Sequence, residues 1–282
     1  MRLAFRISLL AIGLASSLGA APGRAGALVE FPSVSDQAPA KVLGYLARPD
    51  VGLSALLGDP NRAAPYPAVV VLHGCGGFSS HSVKIADQIG SWGYVALTVD
   101  SLGPRGIASR CGGGHPDQAF DAYAALRYLS QLQFVDPARV AVLGQSIGGS
   151  SALYAVDRDL AAQYFDARFR AAIAYYPGCG IPAANMTAPI LILTGAADDW
   201  NPPERCREMV EHSRPDGAPI ALTIYPGVYH AFDVEQLKPG VRFLGHWLEY
   251  NEPAARDAEG KVRAFLAANL GAAPAGRLAP RP

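Results

Sequence analysis

The stretch VAVLGQSIGG, residues 140–149, carries a short β-branched run that ends in Gly144-Gln145-Ser146-Ile147-Gly148 and passes into a helix-forming segment. That order predicts a cramped strand-to-helix turn with Ser146 at its apex, because glycines are needed wherever a Cβ would collide with the neighbouring strand or helix. Three fixed positions match easily in a chain with 30 glycines, so the flanking sequence has to decide.

To either side lie PAVVVLHG, YVALTVD, AAIAYYPG, PILILTG and PIALTIYPG, short and nearly continuous apolar runs. Such runs suit strands covered on both faces in a parallel sheet. Helix-compatible segments fall between most of them, at 79–91, 117–133, 148–165 and 202–213. The alternation predicts a doubly wound α/β domain with helices on both faces of the sheet. Asp136-Pro137 breaks the chain before one strand. Ahead of this region, VEFPSV and KVLGYLARP alternate as an antiparallel edge pair would. Behind it, 237–269 reads as helix interrupted around Asn251-Glu252-Pro253, and 271–282 reads as a flexible tail rich in Ala, Pro and Arg.

Residues 1–27 have the layout of a secretory signal: Arg2 and Arg6, an apolar core, then Ala25-Gly26-Ala27 as small residues for cleavage. The apolar run is shorter than the ~20 residues of a spanning helix, so no stable membrane anchor is expected after cleavage. The remaining 28–270 suits a single domain. Lys plus Arg and Asp plus Glu both total 24, which argues against nucleic acid as a partner. Four cysteines in an exported chain suggest disulfides, and none has zinc-finger spacing.

A serine hydroxyl is a poor nucleophile near neutrality and needs a base oriented by an acid. In a sheet of this kind the partners follow later strands in the order Ser, Asp, His. PILILTG is followed by Asp198 and Asp199, and PIALTIYPG by His230. The set LHGCGG, GQSIGG, LTGAADDW and YPGVYHAFD resembles the dienelactone hydrolase family of the α/β-hydrolase superfamily, over roughly residues 40–250. The resemblance implies an eight-stranded core with little or no lid, and no cofactor. It carries the nucleophile to Ser146, the acid to Asp198 and the base to His230. Members that gave the family its name carry cysteine at the nucleophile and a glutamate beside the oxyanion loop. Ser146 and Gly74 stand at those places here, a combination that resembles general carboxylesterases.

The expected reaction is therefore cleavage of a small ester or lactone. A peptidase of the same superfamily and a noncatalytic binding protein with the same fold are the rival readings. The oxyanion hole is expected from the backbone amides of Ile147 and Cys75, with His73 holding the loop. An ordinary histidine titrates near ~6.5, so activity is expected to fall below that pH. Arg105 is a candidate for a substrate carboxylate, although an arginine tied to a nearby backbone or acid is the favoured reading, and Trp200, Tyr229 and Phe232 are candidates for pocket walls or, equally, for core packing. Asp199 is expected to cap the helix near Pro202-Pro203. His81, His115, His212 and His246 read as surface or packing residues. Cys75–Cys111 and Cys179–Cys206 are the favoured disulfides, because each would join loops at the same end of the sheet.

Overall fold

The computed structural model describes residues 26–34, 41–49, 65–112 and 118–271. The proposed signal segment up to residue 25, His115 and the tail from 272 lie outside these described residues. Among the described residues, ten strands and five α-helices follow in the order β1 (Ala27–Pro32), β2 (Lys41–Ala47), β3 (Tyr66–Leu72), α1 (Ser80–Ser91), β4 (Val95–Asp100), α2 (Gln118–Ser130), β5 (Val135–Gln145), α3 (Ile147–Val156), β6 (Ala171–Tyr175), β7 (Ile190–Gly195), α4 (Pro203–Glu211), β8 (Ile220–Tyr225), β9 (Val241–Phe243), β10 (His246–Leu248) and α5 (Glu252–Leu270). Eight strands form one sheet in the order β1-β2-β4-β3-β5-β6-β7-β8. β1 pairs antiparallel with β2, and β2 antiparallel with β4, while every other pairing in the sheet is parallel. This is the mostly parallel α/β-hydrolase sheet, and the N-terminal pair stands at its edge.

Period-two alternation divides the apolar residues between two cores. Val70 and Leu72 of β3, Val140 and Val142 of β5 and Ile190 and Ile192 of β7 face α2, α3 and α4, where Leu126, Leu153 and Met209 meet them. Val69 and Val71, Ala141 and Leu143, and Leu191 and Leu193 point to the other side, onto Ile89 of α1 and Val262 and Leu266 of α5. Each strand is thus apolar at consecutive positions because both faces are covered. Burying each of these Val or Leu side chains contributes on the order of 1.5–3 kcal/mol.

The segments differ from their expected bounds in three places. Asp136-Pro137 does not precede β5 but lies inside it, where the pairing with β3 jumps from Tyr66↔Val135 to Ala68↔Val140. The helix expected over 148–165 stops at Val156. Beyond it, the Asp157 carboxylate accepts the backbone N–H groups of Asp159 at 2.9 Å and Asn185 at 2.8 Å, which draws the chain away from the helix axis. Residues 238–250 are not helical either: Gly240 (φ 114°), just ahead of β9, and Gly245 (φ 91°), in the turn to β10, take positive-φ backbone around the β9–β10 hairpin. Only α5 keeps the helical pattern, entered through Asn251, whose side chain accepts the Ala254 N–H at 3.1 Å.

β3 lies between β4 and β5, so the chain passes from β3 to β4 on one side and then crosses back to β5 on the other, reversing the direction of winding. A crevice opens at the carboxyl ends of β3 and β5. The Gly74–Gly77 loop and Ser146 both emerge there.

Candidate active site

Ser146 takes φ 54° and ψ −118° between β5 and α3, a conformation that costs a non-glycine residue of order 1–3 kcal/mol. Its neighbours permit it by lacking side chains. A Cβ on Gly144 would lie 2.0 Å from the Gly148 carbonyl oxygen, and one on Gly148 2.5 Å from the carbonyl oxygens of Leu72 and His73. The turn is further held by the Ser146 N–H, which donates to the Tyr175 carbonyl at 2.9 Å.

The acid and the base arrive from β7 and β8. A Cβ on Gly195 would lie 2.0 Å from the Val228 carbonyl oxygen, so glycine alone lets the two loops touch. The Ala197 N–H then donates to that oxygen at 2.9 Å. Asp198 Oδ1 accepts the N–H groups of Trp200 at 3.0 Å and Asn201 at 2.8 Å, which aims Oδ2 at His230. His230 Nδ1 lies 2.8 Å from Asp198 Oδ2, and Nε2 lies 3.1 Å from Ser146 Oγ. With Nδ1–H donating to the carboxylate, Nε2 presents its lone pair to the serine hydroxyl. Asp198 and His230 are each 3% exposed, so water competes little for these bonds.

Residue 199 does not cap α4. Pro202 occupies the N-cap, while Asp199 Oδ1 accepts the Trp247 N–H at 3.3 Å and lies 3.4 Å from His246 Nδ1.

Cys75 and Ile147, the residues expected to supply the oxyanion hole, both line the cleft that contains Ser146. His73 is 1% exposed and fixes this loop as expected. Its Nδ1–H donates to Gly74 O at 2.7 Å, and its Nε2 accepts the Ser101 N–H at 3.2 Å. Burial pushes the His73 pKa down, in keeping with a neutral ring that donates on one side and accepts on the other. Both expected disulfides are present, Cys75–Cys111 and Cys179–Cys206. The first ties the Gly74–Gly77 loop to the segment after β4. The second ties the loop after β6 to α4.

Two clefts meet at Ser146. One, of about 280 Å³, is walled by Tyr176, Trp200, Val234, Phe243 and Leu248, with His81 and Gln145 at its floor. The other, of about 370 Å³, is lined by Arg110, Asn201 and Arg205 along with the Cys75–Cys111 disulfide. Neither arginine was legible as a site residue, because each lies beside a cysteine in a loop or helix start with no motif of its own.

Of the candidate pocket residues, Trp200 stands in the first cleft, its ring 5.2 Å from that of His230. The others do not. Phe232 is 0% exposed and packs on Tyr175, Tyr176 and Tyr225 in the core. Tyr229 turns away toward the Trp247 ring. Arg105 is committed elsewhere: its guanidinium meets Asp121 through NH1 at 2.7 Å and NH2 at 2.9 Å and donates to the Ser101 carbonyl at 2.7 Å. A fork already filled by a carboxylate has no face left for a substrate.

That pair also yields a prediction, since Arg105 is 9% and Asp121 0% exposed in the side chain. Asp121→Ala strands a buried cation and is expected to cost about 3–5 kcal/mol in urea unfolding, with kcat of the folded variant unchanged.

A sequence comparison gives the family and a structural one the fold. The sequence model of the "Dienelactone hydrolase family" matches residues 53–270. An uncharacterized protein of Mycobacterium tuberculosis is 30% identical over 185 residues, 58% of this chain, and this chain spans 63% of the length of that relative. A Bradyrhizobium sp. protein named "Probable 2-oxo-3-(5-oxofuran-2-ylidene)propanoate lactonase" is 27% identical over 67% of this chain and 78% of its own. Among solved structures, the thermophilic esterase Est2 of Thermogutta terrifontis superposes with a TM-score of 0.65 at 20% identity, over 90% of this chain and 95% of that one.

Proposed function

The chain belongs to the dienelactone hydrolase family, and from that premise we propose that it is an exported serine hydrolase that cleaves carboxylic esters or lactones through an acyl-enzyme on Ser146. The observation that carries this reading is the hydrogen-bonded chain Ser146–His230–Asp198, at 3.1 and 2.8 Å. His230 Nε2 takes the hydroxyl proton as Oγ attacks the carbonyl carbon, and the Asp198 carboxylate stabilises the imidazolium that forms. The amides of Cys75 and Ile147 receive the developing oxyanion. His230 then gives its proton to the leaving alcohol, and afterwards takes one from the water that hydrolyses the acyl-enzyme.

The relative named as a lactonase and the structural neighbour named as an esterase support the ester and lactone classes. The apolar cleft beside Trp200 suits an acyl or aryl group. Two disulfides among the described residues support export to an oxidising compartment.

A fluorophosphonate probe tests the nucleophile directly. One covalent adduct per chain is expected, located at Ser146 by peptide mass mapping, and an unlabelled protein or an adduct elsewhere defeats the assignment. Turnover of p-nitrophenyl acetate in the same preparation, set against a peptide anilide, separates an esterase from a peptidase.

A further inference from the structure

Behind the Ser146–His230 pair lies a second polar cluster to which the reaction above assigns no task. Its centre is Asp233, whose side chain is 14% exposed. Asp233 Oδ1 accepts the Tyr176 hydroxyl at 2.6 Å, and Oδ2 accepts the side-chain amide of Gln145. His81 Nε2 lies 3.3 Å from the same Oδ2 and 2.7 Å from Gln145 Nε2. The Gln145 amide nitrogen directs a proton to the carboxylate, and the His81 ring stands against both groups. Reversing the amide would set its oxygen against the carboxylate, so the donor assignment is internally consistent.

Asp233 and two of its partners, Gln145 and Tyr176, come from separate parts of the chain that must meet for catalysis. Gln145 immediately precedes the nucleophile. Tyr176 follows β6, and its ring lies edge-on to His230 at 4.6 Å. Asp233 itself follows His230 by three residues. Of the five non-glycine residues with positive φ among the described residues, three sit here: Ser146 at 54°, Tyr176 at 37° and Ala231 at 58°. Strained backbone persists only where surrounding contacts hold it. Burial would raise the Asp233 pKa, but hydrogen bonds from His81 and Tyr176 and the nearby His81 charge hold it below the usual carboxylate range. Tyr176, pushed well above its ordinary value by burial and by the Asp233 charge, remains a donor.

We propose that Asp233 is a positioning residue: its carboxylate, by accepting Gln145 and Tyr176, locks the nucleophile strand to the histidine loop and sets the Ser146–His230 separation. The inference rests on the ester-hydrolase reading of Ser146. A side chain held 1 Å from its productive place loses on the order of 100-fold in rate, while substrate affinity need not change. Asparagine at 233 keeps the shape but presents N–H to at least one donor, so one of the two struts is lost.

The test uses the full, oxidised chain and p-nitrophenyl acetate. Asp233→Asn is expected to lower kcat about 10- to 100-fold with KM within about two-fold. Tyr176→Phe, which keeps the ring on His230, is expected to lose about three- to ten-fold in kcat. The double variant is expected to fall no more than about two-fold below Asp233→Asn alone, because both changes act through one carboxylate. A kcat within two-fold of wild type for Asp233→Asn, a KM change as large as the kcat change, or losses that multiply in the double variant would each overturn the proposal. If Asp233→Asn fails to fold by circular dichroism, Tyr176→Phe decides alone, and a kcat within two-fold of wild type overturns it. A wild-type chain that neither turns over the ester nor takes the fluorophosphonate removes the hydrolase reading and this inference with it. That outcome is distinct from a labelled, active wild type whose variants are unaffected.

Discussion

Ser146→Ala is expected to reduce kcat on p-nitrophenyl acetate by about 10⁴- to 10⁶-fold, with the thermal unfolding midpoint unchanged or slightly raised. The size follows from what alanine removes. The Oγ lies 3.1 Å from His230 Nε2, and alanine removes both the proposed nucleophile and the proton the base would take from it. Alanine keeps the Cβ, so the left-handed backbone at φ 54° is neither relieved nor worsened. The fold is indifferent because Gly144, Gly148 and the Ser146 N–H hold the turn, and none of these involves the hydroxyl. Residual activity is expected to come from the Cys75 and Ile147 amides acting on a water-attacked carbonyl. A variant that retains more than a hundredth of wild-type turnover would place the chemistry elsewhere in the crevice.

The second large effect falls on the acid. Asp198→Asn is expected to lower kcat by about 10³- to 10⁴-fold with little change in KM. An asparagine oxygen at the Oδ1 place still accepts the Trp200 and Asn201 N–H groups, so the loop keeps its course. Its amide nitrogen then faces His230 Nδ1, where the carboxylate had accepted a proton. Two donors cannot share that contact, and the ring is driven to carry its proton on Nε2 instead. In that tautomer His230 offers Ser146 a donor where the reaction needs an acceptor. Raising the pH cannot restore a lone pair at Nε2 while Nδ1 has no acceptor, so the loss is expected to persist across the alkaline arm of the profile. Recovery of wild-type kcat at high pH would argue for a plain electrostatic role.

What could be read from residues alone was whatever is local in the chain. The β-strands of the parallel sheet announce themselves as runs such as Val69–Leu72 because both faces are covered. Ser146, Asp198 and His230 stood out because they follow β5, β7 and β8 in that order, and the structure brings their side chains together. Side-chain direction over longer distances was not legible. Phe232 and Trp200 look alike as aromatic neighbours of the site, yet one fills the core and the other walls the cleft. Arg105 looked available until Asp121, brought up by α2, closed its fork. Likewise Asp233 follows the histidine closely enough to pass for part of its motif. Its meaning depends on Gln145, Tyr176 and His81, which only the tertiary structure brings within reach.

The β9–β10 hairpin has a consequence of another kind. It carries Phe243 and Leu248 into the cleft, yet Val241, Phe243 and Leu244 are each more than 40% exposed, and the hairpin meets the molecule through Trp200 against Phe243 and His246, Asp199 beneath the Trp247 N–H and a bridge from Leu248 to His230. Ser146, Asp198 and His230 stand beyond the ends of buried strands, whereas this wall is hung outside them like an exchangeable faceplate. Residues 241–248 can therefore be rewritten to reshape the cleft without disturbing the strands that hold those three side chains.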